Sequence, residues 1–374
     1  MYKKVYKKIT AWWDKKKIVA VAGSSIEIVP FRGYGTAEKF ECRGRVLEYR
    51  ALLPQMNDAW WRNALNNYRR FESDEVPDAT LEFRLYDNQY QGTCDKEGYY
   101  HLCQKINSML PSHRDKEWFN VHIDLKSTPF SEFHPTQATG EIFIPSVSAQ
   151  YGFISDIDDT IMKTHVVSKT KMLYLTLFKN AFTRMAFDGV AAWYWALRKG
   201  ADNKGQNPIF YVSNSPWNLY DLLTDFMHHN DVPKGPILLR DIVLPNSEKV
   251  TQYHSHKYNE TIAIIRTYPH LKFVLIGDAG ERDADIYLEI ARIFPERVAG
   301  VLIRSVNDER RNKRVQNLLE QQDNVETLLF HNSLEAAIFC RQKDWIHRNW
   351  INAIQQTMLN SHSTSLMDSL IDEE

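Results

Sequence analysis

The chain has 374 residues, with 46 lysines and arginines against 47 aspartates and glutamates, a net charge of −1, and 43% hydrophobic residues. That composition excludes a mainly disordered, collagen-like or disulfide-framed protein, and the length suits two domains better than one. No apolar run approaches the ~18 residues that span a bilayer, and the near-neutral total argues against a chain that coats nucleic acid.

The neutral sum hides an asymmetry. Residues 1–17 hold seven lysines and one aspartate, a net +6, so the other 357 residues carry −7. Tyr2, Val5, Tyr6, Ile9, Trp12 and Trp13 fall at helical spacing among those lysines. The pattern reads as a basic amphipathic helix, either an anchor for an anionic membrane surface or a helix packed on its own domain.

Residues 18–148 read as a β-sandwich-like domain. Ile26–Phe31, Phe40–Glu48, Thr80–Tyr86, Tyr99–Cys103, Phe119–Leu125 and Gly140–Pro145 are short β-branched or aromatic stretches separated by turn residues. Asp95 to Gly98 suits a hairpin turn, with glycine supplying positive φ. One helical interruption is expected from Asn57 to Phe71, carrying Trp60, Trp61, Leu65 and Tyr68. Nothing in this part has catalytic spacing.

Residues 149–345 change pattern to short apolar strands alternating with helices, the signature of a parallel α/β sheet. The predicted strands are Tyr151–Ser155, Pro208–Ser213, Pro236–Arg240, Lys272–Gly277 and Ala299–Arg304, each nearly all apolar. Residues 346–374 are expected as a C-terminal tail, Ser-rich and then acidic from Gln355 on. The cysteines Cys42, Cys94, Cys103 and Cys340 are scattered and follow no recognisable leader, which points to reduced thiols in a cytoplasmic protein.

Active groups of an open parallel sheet gather at the carboxyl ends of its strands. Those ends carry Asp156, Asp158 and Thr160, then Ser213 and Asn214, then Asp278, while Lys257 lies on the helix before the fourth strand. This set suits phosphoryl transfer. Asp156 is placed to attack phosphorus, and Asp158, two residues on, to act as general acid and then general base. Mg²⁺ between Asp156, Asp278 and a phosphate oxygen, with the Asp158 backbone carbonyl, would offset the crowded negative charge. Lys257 would offset more of it, and Ser213 with neighbouring backbone N–H groups would hold phosphoryl oxygens. Ser215-Pro216 reads as a helix cap whose helix aims its positive end at the site. The second acid of the fourth motif is Asp283 or Glu281, with GD-x4-D spacing favouring Asp283 and Glu281 read as a cap of the next helix.

These residues resemble the four motifs of the haloacid-dehalogenase-like (HAD) superfamily over about residues 150–305. The stretches SDIDDTI, FYVSNSPWNLYDLL, PKGPILLRD and HKYNETIAIIRTYPHLKFVLIGDAGERDADIY resemble, more narrowly, the Mg²⁺-dependent phosphatidate phosphatases of the fungal actin-patch type. Bacterial relatives share an N-terminal β domain with a PFRGYGT-like stretch, here Pro30 to Thr36. The resemblance implies a HAD-like Rossmannoid catalytic domain that dephosphorylates phosphatidate or a related lipid phosphate. Its proline-rich adaptor-binding extensions have no counterpart here.

Other features carry weaker expectations. The apolar residues Met172, Leu173, Leu175, Leu177, Phe178, Phe182, Met185 and Phe187, between the first two motifs, suit a substrate-covering cap or helices packed on the sheet. Asp159 is expected to turn away and fix its loop. His228, His229, His254 and His256 lack a convergent ligand set, although His256 beside Lys257 is within reach of a substrate phosphate. Asp308 to Arg314 reads as a solvated helix face, and Arg240 with Asp241 as lining for the phosphate or glycerol. Two rival functions remain: a HAD phosphatase for a soluble or nucleic-acid phosphate, and a binding protein with a vestigial HAD half.

Overall fold

The structure is a computed structural model that describes residues 25–49, 75–108, 110, 116–129, 133–163, 186–240 and 256–371. The basic segment 1–17, the helix expected over Asn57–Phe71, the residues Met172 to Met185, Asp241 and His254 lie outside the described residues. The chain divides into two compact units, Met1–Ile144 and Pro145–Glu374.

The first unit is built on one mostly antiparallel sheet of eight strands. These are β1 (Ser25–Pro30), β2 (Gly33–Gly35), β3 (Lys39–Tyr49), β4 (Thr80–Leu85), β5 (Asn88–Thr93), β6 (Tyr99–Lys105), β7 (Trp118–Ser127) and β8 (Gln137–Phe143). Their order is β1-β3-β2-β8-β7-β4-β5, with β6 on β3. Alternation decides which face is inside: Leu81, Phe83 and Leu85 on β4, and Phe119, Val121, Ile123 and Leu125 on β7, all point into one core. The eight strands therefore join in one hydrogen-bonded sheet rather than the two of the expected sandwich. The Phe83 and Tyr100 rings meet at 5.3 Å across that core, and the Tyr90 hydroxyl of β5 donates to the Lys105 carbonyl of β6 at 2.7 Å. The turn at Asp95–Gly98 forms with Gly98 at φ 75°, but its flanking strands ladder elsewhere, β5 with β4 and β6 with β3.

The second unit holds a six-stranded, wholly parallel sheet in the order β11-β10-β9-β12-β13-β14. The strands are β9 (Tyr151–Ser155), β10 (Ile209–Pro216), β11 (Ile237–Arg240), β12 (Lys272–Asp278), β13 (Val298–Arg304) and β14 (Glu326–Phe330). Counted within the unit, this is the doubly wound order 3-2-1-4-5-6, whose direction of winding reverses between β9 and β12. The helices Val190–Lys199, Ser333–Gln342 and Asn349–Ile371 pack together, while His256–Thr267, Asp283–Ile293 and Glu309–Leu319 form a second group. Between these groups the inner strands β9, β10, β12 and β13 are buried along nearly their whole length, which is why they read as apolar runs.

β14 and the last helix were not expected. β14 carries two polar residues in five, Glu326 and Thr327, and its Leu328 and Leu329 are only partly buried, as suits an edge strand. The C-terminal stretch expected as a tail instead forms the helix Asn349–Ile371, and Ile354 is fully buried beside Gly189. Gly189 has φ 72°, and a Cβ there would stand 3.2 Å from Ile354 Cγ2, so the approach of this helix needs both the conformation and the missing side chain. Ile354→Ala is expected to cost ~2–4 kcal/mol, read as a lower midpoint in denaturant unfolding of the full chain. A loss within ~0.5 kcal/mol would mean that the helix does not dock.

Candidate active site

The reversal point brings the expected residues together. Asp156 follows β9 directly, and its backbone N–H donates to Ile276 of β12 at 2.9 Å, so the loop leaves the sheet at the seam between the two halves. The next residues turn tightly: the N–H groups of Ile161 and Met162 both donate to the Ile157 carbonyl, at 2.9 and 3.1 Å. Asp159 takes φ 52° inside this turn, a left-handed conformation that aspartate tolerates better than most residues. The third carboxylate of the motif thus shapes the loop through its backbone. Thr160 Oγ1 donates to Asp156 Oδ2 at 3.3 Å.

Lys257, fully buried on the helix His256–Thr267, sits at the centre of the charge. Its Nζ lies 2.9 Å from Asp156 Oδ1, 2.7 Å from Asp283 Oδ1 and 2.8 Å from Glu281 Oε2. Burial alone would lower the ammonium's pKa, yet Asp156, Asp283 and Glu281 hold it well above its ordinary value. Burial pushes Asp156 well above the usual carboxylate range; Lys257 opposes that rise, while Asp283, Glu281 and Asp278 add to it. Asp278 is likewise raised by burial and by Asp283, and Asp283 by burial against the pull of Lys257.

The general acid expected from the sequence has a distinct setting. Asp158 Oδ2 accepts from Ser213 Oγ at 2.7 Å and from Ser215 Oγ at 3.0 Å, while Oδ1 is buried with no hydrogen-bond partner. Burial raises its carboxyl, against those two hydroxyls. A carboxyl so placed favours the protonated form, with Oδ1 the oxygen free to carry a transferable proton. Ser215 is therefore no helix cap. β10 runs on through Pro216, a 3-10 turn occupies Trp217–Leu219, and the helix begins only at Tyr220. Ser213 and Ser215 lie two apart on one strand and so share a face, a period the sequence carried in plain view. Asn214, between them, donates from Nδ2 to Glu281 Oε2 at 2.8 Å.

The fourth motif resolves the choice between its acids by giving them different partners. Glu281, at the exposed edge, accepts from Asn214 and Lys257 and caps no helix; Arg282 holds the cap position of Asp283–Ile293. Burial tends to raise the Glu281 carboxyl, but Lys257 and Asn214 hold it below its usual range, with help from Arg240. Asp283 is fully buried, and its Oδ2 accepts from the Asp278 N–H at 3.3 Å. Gly277 must be glycine here, because a Cβ would stand 2.6 Å from Asp283 Cβ.

Asp156, Asp278 and Asp283 each offer an oxygen within 4.8 Å of the others. Asp278 Oδ1 accepts from the Gly280 and Glu281 N–H groups at 2.6 and 3.0 Å, which leaves Oδ2 buried without a donor. Asp156 Oδ1 is also buried with no hydrogen bond, and it lies 2.9 Å from the Lys257 ammonium. Two buried carboxylate oxygens without a hydrogen bond, in an all-oxygen set, fit a hard divalent cation. Asp283, with both oxygens engaged, orients Lys257 and Asp278. The Asp158 carboxylate lies outside the cluster, so only its backbone carbonyl is left to join it.

Other expected residues stand further out. Arg240 is exposed at the end of β11. His256 is held by the Leu238 carbonyl at 3.3 Å and by Glu260, and His228 and His229 are exposed at a helix end. The run from Asp308 to Arg314 is more than a solvated face, since Arg311 donates to the Gly280 carbonyl of the fourth motif and Arg314 pairs with Asp285. Sequence reasoning missed Ser215 as a site residue and gave no role to Arg304, whose side chain is buried behind the first motif.

Residues 151–305 match the family described as phosphatidate phosphatase APP1, catalytic domain. The phosphatidate phosphatase APP1 of Saccharomyces cerevisiae is 30% identical over 241 residues, 62% of this chain and 39% of that protein. An uncharacterized protein of Schizosaccharomyces pombe is 34% identical over 156 residues, 41% of this chain and 25% of that protein. The chain thus spans well under half the length of these relatives. The resemblance read from the motifs is borne out over the catalytic region. Among solved structures, a Bifidobacterium dentium beta-glucuronidase aligns over 82% of this chain and 60% of its own at 9% identity, with a TM-score of 0.22, too low to carry an argument.

The crowded carboxylates make a stability prediction. Groups whose folded pKa is raised above the unfolded value stabilise the fold at low pH, and that contribution is lost as pH rises through the folded pKa. In chelator, the melting temperature should therefore fall as pH climbs above the ordinary carboxylate range, and a divalent cation should raise it most at the alkaline end. Asp278→Asn should be more stable than the parent in chelator, by ~1–2 kcal/mol, and should lose the cation-induced rise in melting temperature. Equal cation shifts in both proteins would show that Asp278 is no ligand.

Proposed function

We propose that the chain is a Mg²⁺-dependent phosphatidate phosphatase with a HAD-like catalytic domain, hydrolysing a lipid phosphate monoester to the corresponding alcohol and phosphate. One observation carries the reading. The stretch that matches the phosphatidate phosphatase family is the one in which Asp156, Asp158, Lys257 and Asp278 converge at the reversal point of the sheet. The doubly wound strand order and its four motif positions support the HAD-like assignment.

Asp156 attacks phosphorus in its carboxylate form, which the adjacent Lys257 favours against burial, and the bond from phosphorus to the leaving oxygen breaks. Asp158 gives its Oδ1 proton to that alkoxide. The resulting Asp158 carboxylate takes a proton from water, whose oxygen then attacks the aspartyl-phosphate and restores Asp156. Ser213 and Ser215 keep Asp158 aimed through both steps, holding one oxygen so that the other faces the substrate. A bound Mg²⁺, held by Asp156, Asp278 and the Asp158 carbonyl, would neutralise the charge gathered on phosphate.

The segment 1–17 would bring a net-negative body to an anionic cytoplasmic membrane face, through lysines that attract the lipid and tryptophans that settle at the interface. No helix among the described residues is long and apolar enough to cross a membrane.

The test is phosphate release from phosphatidate, lysophosphatidate, sugar phosphates and 3′- and 5′-phosphorylated oligonucleotides, with and without Mg²⁺. Lipid phosphates should turn over fastest and only with the cation. Asp156→Asn should abolish turnover, and Asp158→Asn should lower kcat ~10²–10⁴-fold. Residual full activity in the first variant would refute the mechanism. If the lipids are the slowest substrates, the substrate assignment fails and the reaction class stands. Removing residues 1–17 should weaken vesicle binding while leaving turnover of a soluble phosphate ester unchanged; equal vesicle binding would remove the tether.

A further inference from the structure

Arg304, at the end of β13, has a side chain that is only 1% exposed. Burial pulls its pKa down to about 10, a mark of how poorly the site solvates the charge. Among the described residues no carboxylate stands within ion-pair distance of it. The guanidinium lies over two aromatic rings instead, its carbon 4.1 Å from the centre of Phe187 and 4.8 Å from that of Phe330. Its Nε donates to the Thr160 carbonyl at 2.9 Å, and one terminal nitrogen to Ser333 Oγ at 3.4 Å. A buried arginine with no ion-paired acid is expensive even with the charge of Asp188 nearby, and its contacts indicate what it holds.

Thr160 is the last residue of the first motif, and its hydroxyl bonds the Asp156 carboxylate. Its neighbours form the tight turn in which Asp159 has positive φ. Phe187, which stacks on Arg304, also donates its N–H to the Ile161 carbonyl at 3.0 Å, and Met162 bridges to Ala186. Arg304 therefore sits in the corner where the nucleophile's turn, the 186–188 stretch and the end of β14 meet. Its ladder partner on β12 is Asp278. The two carboxylates with orphaned oxygens are thus both tied to this one residue, Asp278 through the ladder and Asp156 through Thr160.

We propose that Arg304 is a positioning residue for the nucleophile: it locks the 157–162 turn against the sheet and so sets the direction of the Asp156 carboxylate. The consequence for turnover rests on the phosphatase reading above; the consequence for the turn does not. Nothing in its role requires contact with substrate, so its loss should slow the chemical step and leave substrate binding nearly untouched. Misplacement of a reacting group by about 1 Å costs on the order of 10²-fold in rate.

The test compares the full chain with Arg304→Gln, Arg304→Lys, Phe187→Leu and, as a control, Leu302→Ala, a core residue two positions back on the same strand. Amide hydrogen exchange at residues 160–162 reads the turn, and kcat and KM on p-nitrophenyl phosphate with Mg²⁺ read the chemistry. Arg304→Gln should speed exchange at 160–162 relative to β9 and β12 and lower kcat about 10–100-fold, with KM within about threefold. Arg304→Lys should recover part of both effects. Leu302→Ala, at a matched loss of melting temperature, should change neither the turn's relative exchange nor kcat. Unchanged exchange at 160–162 in Arg304→Gln would overturn the proposal, as would equal effects in Leu302→Ala. Where Arg304→Gln does not fold, Phe187→Leu decides: faster exchange at 160–162 supports the lock, and unchanged exchange overturns it. A parent protein that releases phosphate from no ester sinks the phosphatase reading alone, since exchange still judges the turn.

Discussion

One buried ammonium organises the catalytic unit. Lys257 lies within 2.9 Å of Asp156, Asp283 and Glu281, groups contributed by two separate motifs, and it is fully removed from water. Without it, Asp156 and Asp283 would sit in a low-dielectric pocket as uncompensated like charges, a state that costs several kcal/mol. With it, Asp156 gains a reason to stay ionised and Asp283 gains a fixed orientation. Asp283 in turn takes the Asp278 N–H, and the glycine before Asp278 leaves the room it needs. The cluster is therefore a chain of dependences that begins at one lysine.

The surrounding parts divide the labour by charge and by solvent. Asp158 is separated from the lysine by being given two serine hydroxyls, which accounts for two aspartates two residues apart behaving differently. Burial raises both carboxyls, against the Lys257 ammonium at Asp156 and chiefly against the two serine hydroxyls at Asp158. The exposed Glu281 closes the ring by accepting from Asn214 and Lys257 at the rim. Beneath the first motif, Arg304 donates to the Thr160 carbonyl and lies over the Phe187 and Phe330 rings.

Much of this was legible in the residues. Asp156 and Asp278 directly follow or end apolar strands, and a parallel sheet sends such ends to one edge. Lys257 was legible as a charge the site needs. Ser215 was misread because a serine before a proline is a common helix start, whereas here β10 simply continues for three residues past Ser213. The C-terminal helix was misread because its serines and sparse apolar residues suggest a solvated segment; Ile354, fully buried among its described side chains, does not stand out without its partner, Gly189. In the first unit the inward faces followed from alternation, but β2 and β5 are too short or too polar to announce themselves, and without them one sheet looks like two.

The sequence by itself determined the reaction set: which side chains could attack, donate a proton, hold a cation and balance charge, because those roles follow from residue type and from the order of strands and helices. Only the tertiary structure decided how the roles are divided. Whether Glu281 or Asp283 is buried, which oxygen of Asp158 is left free, and that Arg304 underlies Thr160 all depend on contacts between residues 24 to 144 positions apart. Local pattern carries no information about such pairs. They are set by which strand ends the 3-2-1-4-5-6 order makes neighbours, and by what a dry interior demands of each charge placed in it.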